Sequence, residues 1–327
     1  MESPRARARR RRRSLLFTAL ALLTVVGGAA AGTVYVKAQA HSGPSSVSSA
    51  SVSVQAGEEA SVEPVAQPAV DHDAALAEAM ASVTVEDGAE VSVAVLDPES
   101  GESATYGSGS FDTASVVKVD ILAALLLQAQ DAGRQLTATE KSYATAMIQD
   151  SDNASASELW RAIGEAEGLD AANERLGLTA TEGGDGMLWG LTQTTAEDQL
   201  RLLQQVFGED SELSEPSRTY LRGLMGEIAV DQQWGVSAVA GGSAWALKNG
   251  WLPRTATGLW DINSIGRVTV DGTVYLVAVL SDGNSTKAKG ISLVEAAAGA
   301  AVSVFTGEAS SGSPEPTSAA SPSYSPS

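Results

Sequence analysis

The sequence predicts an α/β domain of the α+β type, with a mostly antiparallel sheet that is built from both ends of the domain and flanked by helices. Two observations predict this class. Strand-like alternation occurs near the start and again near the end of the central region, whereas helical periodicity fills the stretch between them. An amphipathic pattern at 288–305 then closes the region as a helix. The expected fold is therefore a sheet with an inserted all-helical region.

The domain is expected to open with a helix at 74–82 and a β-hairpin. The segment 90–96, EVSVAVL, alternates like a strand. It is followed by DPESG at 97–101, a turn sequence that leads into a second short strand at 102–106.

The segment Phe111–Gln128, FDTASVVKVDILAALLLQ, is predicted to be a buried helix. Asp112 and Thr113 favour a helix start, and beyond them only Lys118 and Asp120 are charged. A helix that is apolar on nearly every side belongs inside a core. The rest of the domain is expected to pack around this helix.

The later elements follow from the same periodicities. Four further stretches are predicted to be helical: 139–149, 154–164, 196–206 and 215–228. Three stretches are predicted to be strands: 244–248, 264–270 and 274–280.

The N-terminus is typical of a protein that leaves the cytoplasm. An arginine-rich head at 1–13 precedes Ser14–Val36, an uncharged apolar run of 23 residues that is long enough to cross a bilayer. Basic residues before such a run keep the N-terminus inside and place the remainder outside. We expect either an anchor formed by 14–36 or a signal peptide cleaved near Ala40, and so an extracytoplasmic domain.

Composition divides the chain into four segments. The stretches on either side of the domain are rich in Ser, Ala and Pro and are predicted to be disordered. The segments are a signal or anchor at 1–40, a linker at 41–72, the folded domain at 73–306 and a tail at 307–327.

Residue usage excludes several kinds of chemistry. The chain has no cysteine, which rules out disulfides, thiolate metal sites and cysteine nucleophiles. Both histidines, His41 and His72, fall in the predicted linker, so a Ser-His-Asp triad is excluded. From His41 onward there are 39 acidic and 13 basic residues, which argues against nucleic acid as a partner.

Ser115 and Lys118 lie three residues apart where the buried helix begins. Residues at this spacing share one face of a helix, so the hydroxyl and the amine can meet. Burial and the positive end of the helix lower the pKa of such a lysine, and a neutral amine can then take a serine proton. Because Ser-x-x-Lys also occurs by chance, this pair alone does not establish a site.

Two further polar triplets give the pair its context. Ser151-Asp152-Asn153 follows a predicted helix, and Lys248-Asn249-Gly250 is predicted to end a strand that terminates at Trp251 and Pro253. The order Ser-x-x-Lys, Ser-Asp-Asn, Lys-polar-Gly resembles that of penicillin-binding proteins and class A β-lactamases. The resemblance covers nearly all of the central domain and implies a β-lactamase/transpeptidase-like fold.

The resemblance also implies roles for the polar residues. Ser115 would be the nucleophile and Lys118 its base, and the N–H of Ser115 with one from the strand after Lys248 would stabilise the oxyanion. Ser151 would relay a proton to the departing nitrogen, and Lys248 would keep Lys118 neutral and attract a substrate carboxylate. The residues expected to bind the substrate are Asn153, Asn249, Gly250 and Trp251.

Two departures from the family pattern affect the expected activity. The Glu-x-x-Leu-Asn loop that activates the deacylating water in class A β-lactamases is missing, and Glu182 and Asp185 are the only carboxylates in its place. Asn249 replaces the usual Thr or Ser of the third motif. Trp189 and Trp251 are expected to lie at the cleft wall. We therefore expect slow deacylation and an altered ligand.

The expected activity is that of a serine hydrolase, without metal or cofactor, that is acylated by β-lactams or by D-Ala-D-Ala peptides of the cell wall. Membrane contact would come only from an uncleaved N-terminal segment. Two alternatives remain open at this stage. One is a catalytically inactive module that binds peptidoglycan or a partner protein, and the other is an esterase for small acyl esters.

Overall fold

The computed structural model describes residues 70–242 and 244–306. The predicted signal or anchor, most of the linker and the C-terminal tail lie outside the described residues. Three linker residues, 70–72, are described, and His72 differs from expectation. His72 begins the first helix, α1 (His72–Met80), and its ring stacks on Phe305 with 4.9 Å between the ring centroids.

A five-stranded antiparallel sheet forms from both ends of the domain, as the sequence predicts. Its order is β2-β1-β7-β6-β5, so β5 is an edge strand. The strands are β1 (Glu90–Leu96), β2 (Ser103–Tyr106), β5 (Trp245–Pro253), β6 (Trp260–Val270) and β7 (Thr273–Asn284). A separate pair joins β3 (Phe111–Asp112) to β4 (Gln193–Thr194).

The helices between these strands form the inserted region. They are α2 (Val117–Asp131), α3 (Ala138–Gln149), α4 (Asn153–Ile163), α5 (Glu165–Leu176), α6 (Ala196–Phe207) and α7 (Glu215–Met225). They share a core with one face of the sheet, and the last helix, α8 (Lys287–Thr306), packs on the other face with α1. The sheet therefore separates two apolar cores.

Helix α5 was not predicted. The sequence predicts that α4 ends at Gly164, and this glycine does cap the helix in the left-handed conformation at φ 96°. The chain then starts α5 at the next residue, so one glycine serves both helices. A glycine stop signal marks the end of one helix and does not exclude a second one directly after it.

The predicted helix at 111–128 begins later than expected. Asp112 belongs to β3, where it pairs with Gln193, and a 3₁₀ turn at Ala114–Val116 comes before α2. We call this turn the nucleophile turn. From Val117 to Leu127 every side chain of α2 is buried, as predicted.

Helix α8 is the one helix among residues 70–242 and 244–306 that is long and apolar enough to span a membrane. Its Leu293, Val294, Ala297 and Ala301 are buried against the sheet. This contact accounts for its apolar composition within the domain.

Candidate active site

The second motif lies between the lysines of the other two motifs. The Ser151 Oγ is 3.0 Å from the Nζ of Lys118 and 3.1 Å from the Nζ of Lys248. Both lysine side chains are fully buried. Residues separated by 130 positions in the sequence thus meet at one hydroxyl group.

Lys118 makes three hydrogen bonds, all to the second motif. Its Nζ donates to the Ser151 carbonyl at 2.6 Å, to the Ser151 Oγ at 3.0 Å and to the Asn153 Oδ1 at 2.8 Å. No hydrogen bond joins Lys118 to Ser115 within the described part of the chain, which differs from the pairing expected from their spacing. Catalytic hydrogen bonds often tighten only when substrate binds, so Lys118 retains the role of candidate base.

Burial lowers the pKa values of both lysines. The pKa of Lys118 falls to about 7 because its ammonium is removed from water, although the Asp152 carboxylate acts in the opposite direction. Burial, followed by the charge of Lys118, lowers the pKa of Lys248 well below its usual value. The two amines surround one hydroxyl, so each proton is held less tightly than on an exposed lysine.

The backbone is strained directly before the first motif and within the second. Ala114, directly before Ser115, has φ 48°, and Ser151 has φ 55°. Residues other than glycine rarely adopt this left-handed conformation, and where they do, it commonly marks a functional site. The strain falls on the residue next to the candidate nucleophile and on the residue that contacts both lysines.

Gly250 allows the edge strand to contact the nucleophile turn. A Cβ atom at this position would lie 2.8 Å from the Ser115 nitrogen and 2.8 Å from the Thr113 carbonyl oxygen. No side chain fits between the two backbones. The contribution of Gly250 is therefore this close approach, which sets the backbone of β5 beside Ser115.

The next residue, Trp251, directs its N–H toward the nucleophile side. The Thr269 N–H donates to the Ala244 carbonyl at 3.0 Å, which identifies a hydrogen-bonded pair of β5 and β6. Such pairs alternate along an antiparallel ladder, and the register from Trp245 to Pro253 is regular. The N–H of Trp251 consequently faces the free edge of β5. With the Ser115 N–H it can stabilise an oxyanion.

The side chain of Trp251 lies on the other face of the sheet. Because side chains alternate along a strand, Lys248 and Gly250 face the helical region and Trp251 faces α8. Its ring packs 6.1 Å from the Trp234 ring and lies 4.0 Å from the Lys287 Nζ. These contacts turn the ring toward α8, so the backbone N–H of Trp251 and not its ring faces the free edge of β5, and the cleft-wall position of the ring stays a prediction.

The Asn249 side chain is also hydrogen-bonded away from the cleft. Its side chain is fully buried, and its Nδ2 donates to the carbonyls of Gln232 at 2.7 Å and Trp234 at 3.0 Å. The prediction that this amide binds substrate is not supported by these contacts. The Lys248-Asn249-Gly250 triplet lies in the middle of β5 rather than at its end, so the alternation of the strand directs Asn249 away from the cleft.

Asn263 fixes the chain that precedes the nucleophile. Its Nδ2 donates to the carbonyls of Asp112 at 2.9 Å and Thr113 at 3.0 Å. Its Oδ1 accepts from the Ser281 N–H at 3.0 Å. The structure gives Asn263 the role of a brace between the sheet and the nucleophile turn.

The loop before α6 brings an indole to the site. Trp189 begins a 3₁₀ turn, Trp189–Leu191, and its ring centroid lies 5.1 Å from the Lys118 Nζ. Its cleft-wall prediction fits this position. The backbone of Glu182 pairs with that of Gln193 in β4, on the side of β4 that faces away from β3. The side chains of Glu182 and Asp185 are both exposed.

Cavity size does not identify the site. A cavity of about 1110 Å³ lies between α1 and α8 and contains none of the motif residues. The assignment rests on the hydrogen bonds and burial of the motif side chains, which determine chemistry more directly than empty volume.

The profile of the beta-lactamase enzyme family matches residues 135–305, more than half of the chain. This chain belongs to the beta-lactamase enzyme family. The match includes Ser151, Asn153 and Lys248, and Ser115 and Lys118 lie just before it. No curated protein sequence matches significantly.

Solved structures of β-lactamases share the fold. The TLA-1 extended-spectrum β-lactamase has 17% sequence identity and a TM-score of 0.61, with 70% of this chain and 96% of that chain covered. A class A β-lactamase from Bacteroides cellulosilyticus has 16% identity and a TM-score of 0.61, with 72% and 99% covered. A PBP-A mutant in an acyl-enzyme complex with penicillin G has 20% identity and a TM-score of 0.61, with 72% and 97% covered. The chain thus has the β-lactamase-like serine hydrolase fold that its motifs predicted.

Proposed function

We propose that this protein is an exported enzyme whose Ser115 is acylated by β-lactams or by D-Ala-D-Ala peptides of the cell wall, with little or no subsequent hydrolysis. The observation that carries the proposal is the single cluster formed by Lys118, Ser151 and Lys248 beside the nucleophile turn. Further support comes from the solved PBP-A structure, which holds an acyl-enzyme with penicillin G.

Acylation can proceed with every proton accounted for. Neutral Lys118 takes the hydroxyl proton of Ser115 as its Oγ bonds to the acyl carbonyl carbon. The resulting oxyanion accepts hydrogen bonds from the N–H groups of Ser115 and Trp251. When the C–N bond breaks, Ser151 gives its proton to the departing nitrogen, and the Lys118 ammonium reprotonates Ser151 across 3.0 Å. The product is an ester on Ser115, with Lys118 neutral again.

Asn153 would bind the substrate amide. Its Oδ1 accepts from Lys118, which fixes the orientation of the side chain and leaves the Nδ2 available to donate. An amide nitrogen in this position can bond to a carbonyl of the acyl donor. The second motif would then orient the base and the substrate together.

Export is proposed from the sequence of residues 1–40. The arginine-rich head and the apolar run 14–36 would direct the domain out of the cytoplasm, either anchored or released near Ala40. Fractionation of expressing cells tests this step. Recovery of the folded domain in the cytoplasm would contradict it.

Intact-mass spectrometry tests acylation. The full chain is incubated with benzylpenicillin beside its Ser115→Ala variant, and both are checked for folding by circular dichroism. We expect the wild type alone to gain the mass of one penicilloyl group. A folded wild type without an adduct would overturn the proposal and favour the binding module. That alternative has one structural observation in its favour, because Lys118 bonds to the second motif rather than to Ser115.

A further inference from the structure

Trp189 covers the candidate base and is held there from two sides. Its indole lies 5.1 Å from the Lys118 Nζ, and its Nε1 donates to the Ser157 Oγ of α4 at 3.2 Å. The 3₁₀ turn that carries it packs against the nucleophile turn, and a Cβ on Gly190 would lie 3.9 Å from the Ala114 carbonyl oxygen. The indole is therefore tied to α4, and the turn that carries it is held against the nucleophile turn.

The remaining surroundings of the Lys118 amine are occupied. The Ser151 carbonyl, the Ser151 Oγ and the Asn153 Oδ1 match the three N–H donors of an ammonium group. The indole has no acceptor that could orient a water molecule. A neutral amine donates only two of these bonds and keeps a lone pair, so a water at the Ser115 ester is excluded by the indole over the amine rather than by the three acceptors.

Other candidate bases are also occupied or remote. Hydrolysis of the ester requires a base within hydrogen-bond reach of the attacking water. Asp152 is the carboxylate whose charge acts on Lys118, and its Oδ1 caps α4 by accepting from the Ser155 N–H at 2.6 Å. The side chains of Glu182 and Asp185 are exposed and make no hydrogen bond to the motif residues in the described structure.

We propose that Trp189 determines the lifetime of the acyl-enzyme by excluding hydrolytic water from Lys118. This inference rests on the proposed acylation of Ser115. In the step that is blocked, water gives a proton to Lys118 and its oxygen bonds to the ester carbonyl carbon. The bond to the Ser115 Oγ then breaks, and the Oγ takes the proton back from Lys118. Trp189 is a positioning residue here, because it acts through the base and the water.

The experiment compares the decay of the penicilloyl adduct in the full chain and in three Trp189 variants. Trp189→Phe keeps an aromatic cover, whereas Trp189→Ala and Trp189→Gln open the space above Lys118. Trp245→Phe is the matched control, since Trp245 is partly buried and packs against the core on the opposite face of the sheet. Each protein is acylated, freed of excess penicillin and followed by intact mass.

We expect the adduct of Trp189→Ala to decay at least about tenfold faster than that of the wild type, because a base-assisted water becomes available. Trp189→Phe and Trp245→Phe should stay within about threefold of the wild type, a smaller change than loss of base assistance produces. The accelerated decay should also rise with pH as Lys118 loses its proton, which a general loss of stability would not produce. If Trp189→Ala does not fold, Trp189→Gln decides the question by the same criterion.

The possible failures are distinguishable. A wild type that forms no adduct overturns the proposed function and this inference together. A wild type that forms an adduct, with a folded Trp189→Ala or Trp189→Gln variant that loses it no faster, overturns the role of Trp189 alone.

Discussion

Lys118 and Asp120 are two buried ionisable residues on the same helix, and their surroundings differ sharply. Both side chains are fully buried in α2, and being two positions apart they point to different faces. Lys118 has an acceptor for each of its three N–H groups. Asp120 has one long hydrogen bond, 3.4 Å from the Gln199 Nε2 to its Oδ1, and its Oδ2 has no partner in the described residues.

Burial moves both pKa values toward neutrality from opposite directions. It lowers the pKa of Lys118 from 10.5 to about 7 and, with a smaller contribution from the Asp198 carboxylate, raises that of Asp120 from 3.8 to about 7. A shifted pKa therefore does not by itself distinguish a base from a core residue. The partners do, because those of Lys118 belong to the motifs beside Ser115 and those of Asp120 lie in the helical core.

The largest expected difference between the two residues is in the acylation rate. Lys118→Met should slow acylation by benzylpenicillin at least about 100-fold, because general-base assistance typically contributes at least that factor. Asp120→Asn should remain within about threefold, since it alters no group that can reach the substrate. Rapid mixing, quenching at set times and intact-mass spectrometry measure both acylation rates. A large loss in a folded Asp120→Asn variant, or retained acylation in Lys118→Met, would break the comparison.

A second prediction concerns stability as a function of pH. Between about pH 4 and pH 7 the folded state keeps the proton of Asp120 that the unfolded chain releases, so this residue lowers stability as the pH rises. Between about pH 7 and pH 10 the folded state lacks the proton of Lys118 that the unfolded chain binds, so Lys118 raises stability with pH. The two contributions have opposite signs and meet near pH 7.

Urea unfolding of the wild type, Asp120→Asn and Lys118→Met at pH 5, 7 and 9 measures these contributions. The free energy of unfolding of Asp120→Asn minus that of the wild type should be larger at pH 7 than at pH 5. The free energy of unfolding of Lys118→Met minus that of the wild type should be larger at pH 7 than at pH 9. Parallel curves for wild type and Asp120→Asn across this range would show that Asp120 has an ordinary pKa.

The sequence predicted the fold and the cluster because both depend on patterns that are local or ordered along the chain. Alternation located the strands, and the order of the three motifs identified Ser115, Lys118, Ser151 and Lys248. Side-chain direction was predicted less well. Placing Asn249 and Trp251 required the register of β5, and that strand continues to Pro253, beyond the end at Lys248 that alternation suggested.

The contacts of Lys118 could not be predicted from spacing either. A separation of three residues places Ser115 and Lys118 on one side of the chain, but spacing does not show which acceptors the long lysine side chain reaches, and here they belong to the second motif. The acceptors of Lys118 come from 33 and 35 residues further along the chain. The contact of Trp189 with Lys118 depends on a loop without regular periodicity, so its only sequence signal was an aromatic residue near the second motif.

The smallest expected effect separates the influence of charge on Lys118 from that of burial. Asp152 raises the pKa of Lys118, against the larger effect of burial, and its side chain is partly exposed to solvent. Asp152→Asn removes the charge but keeps a residue that caps α4 well. The pH at which acylation is half-maximal should therefore fall by a fraction of a pH unit, and the shift should shrink in 1 M salt, where exposed charges are screened.

The measurement is the acylation rate between pH 5 and pH 9 at low and high salt. A shift to higher pH would contradict the direction of this charge effect, and a fall larger than a full unit would mean that the carboxylate and not burial controls the base.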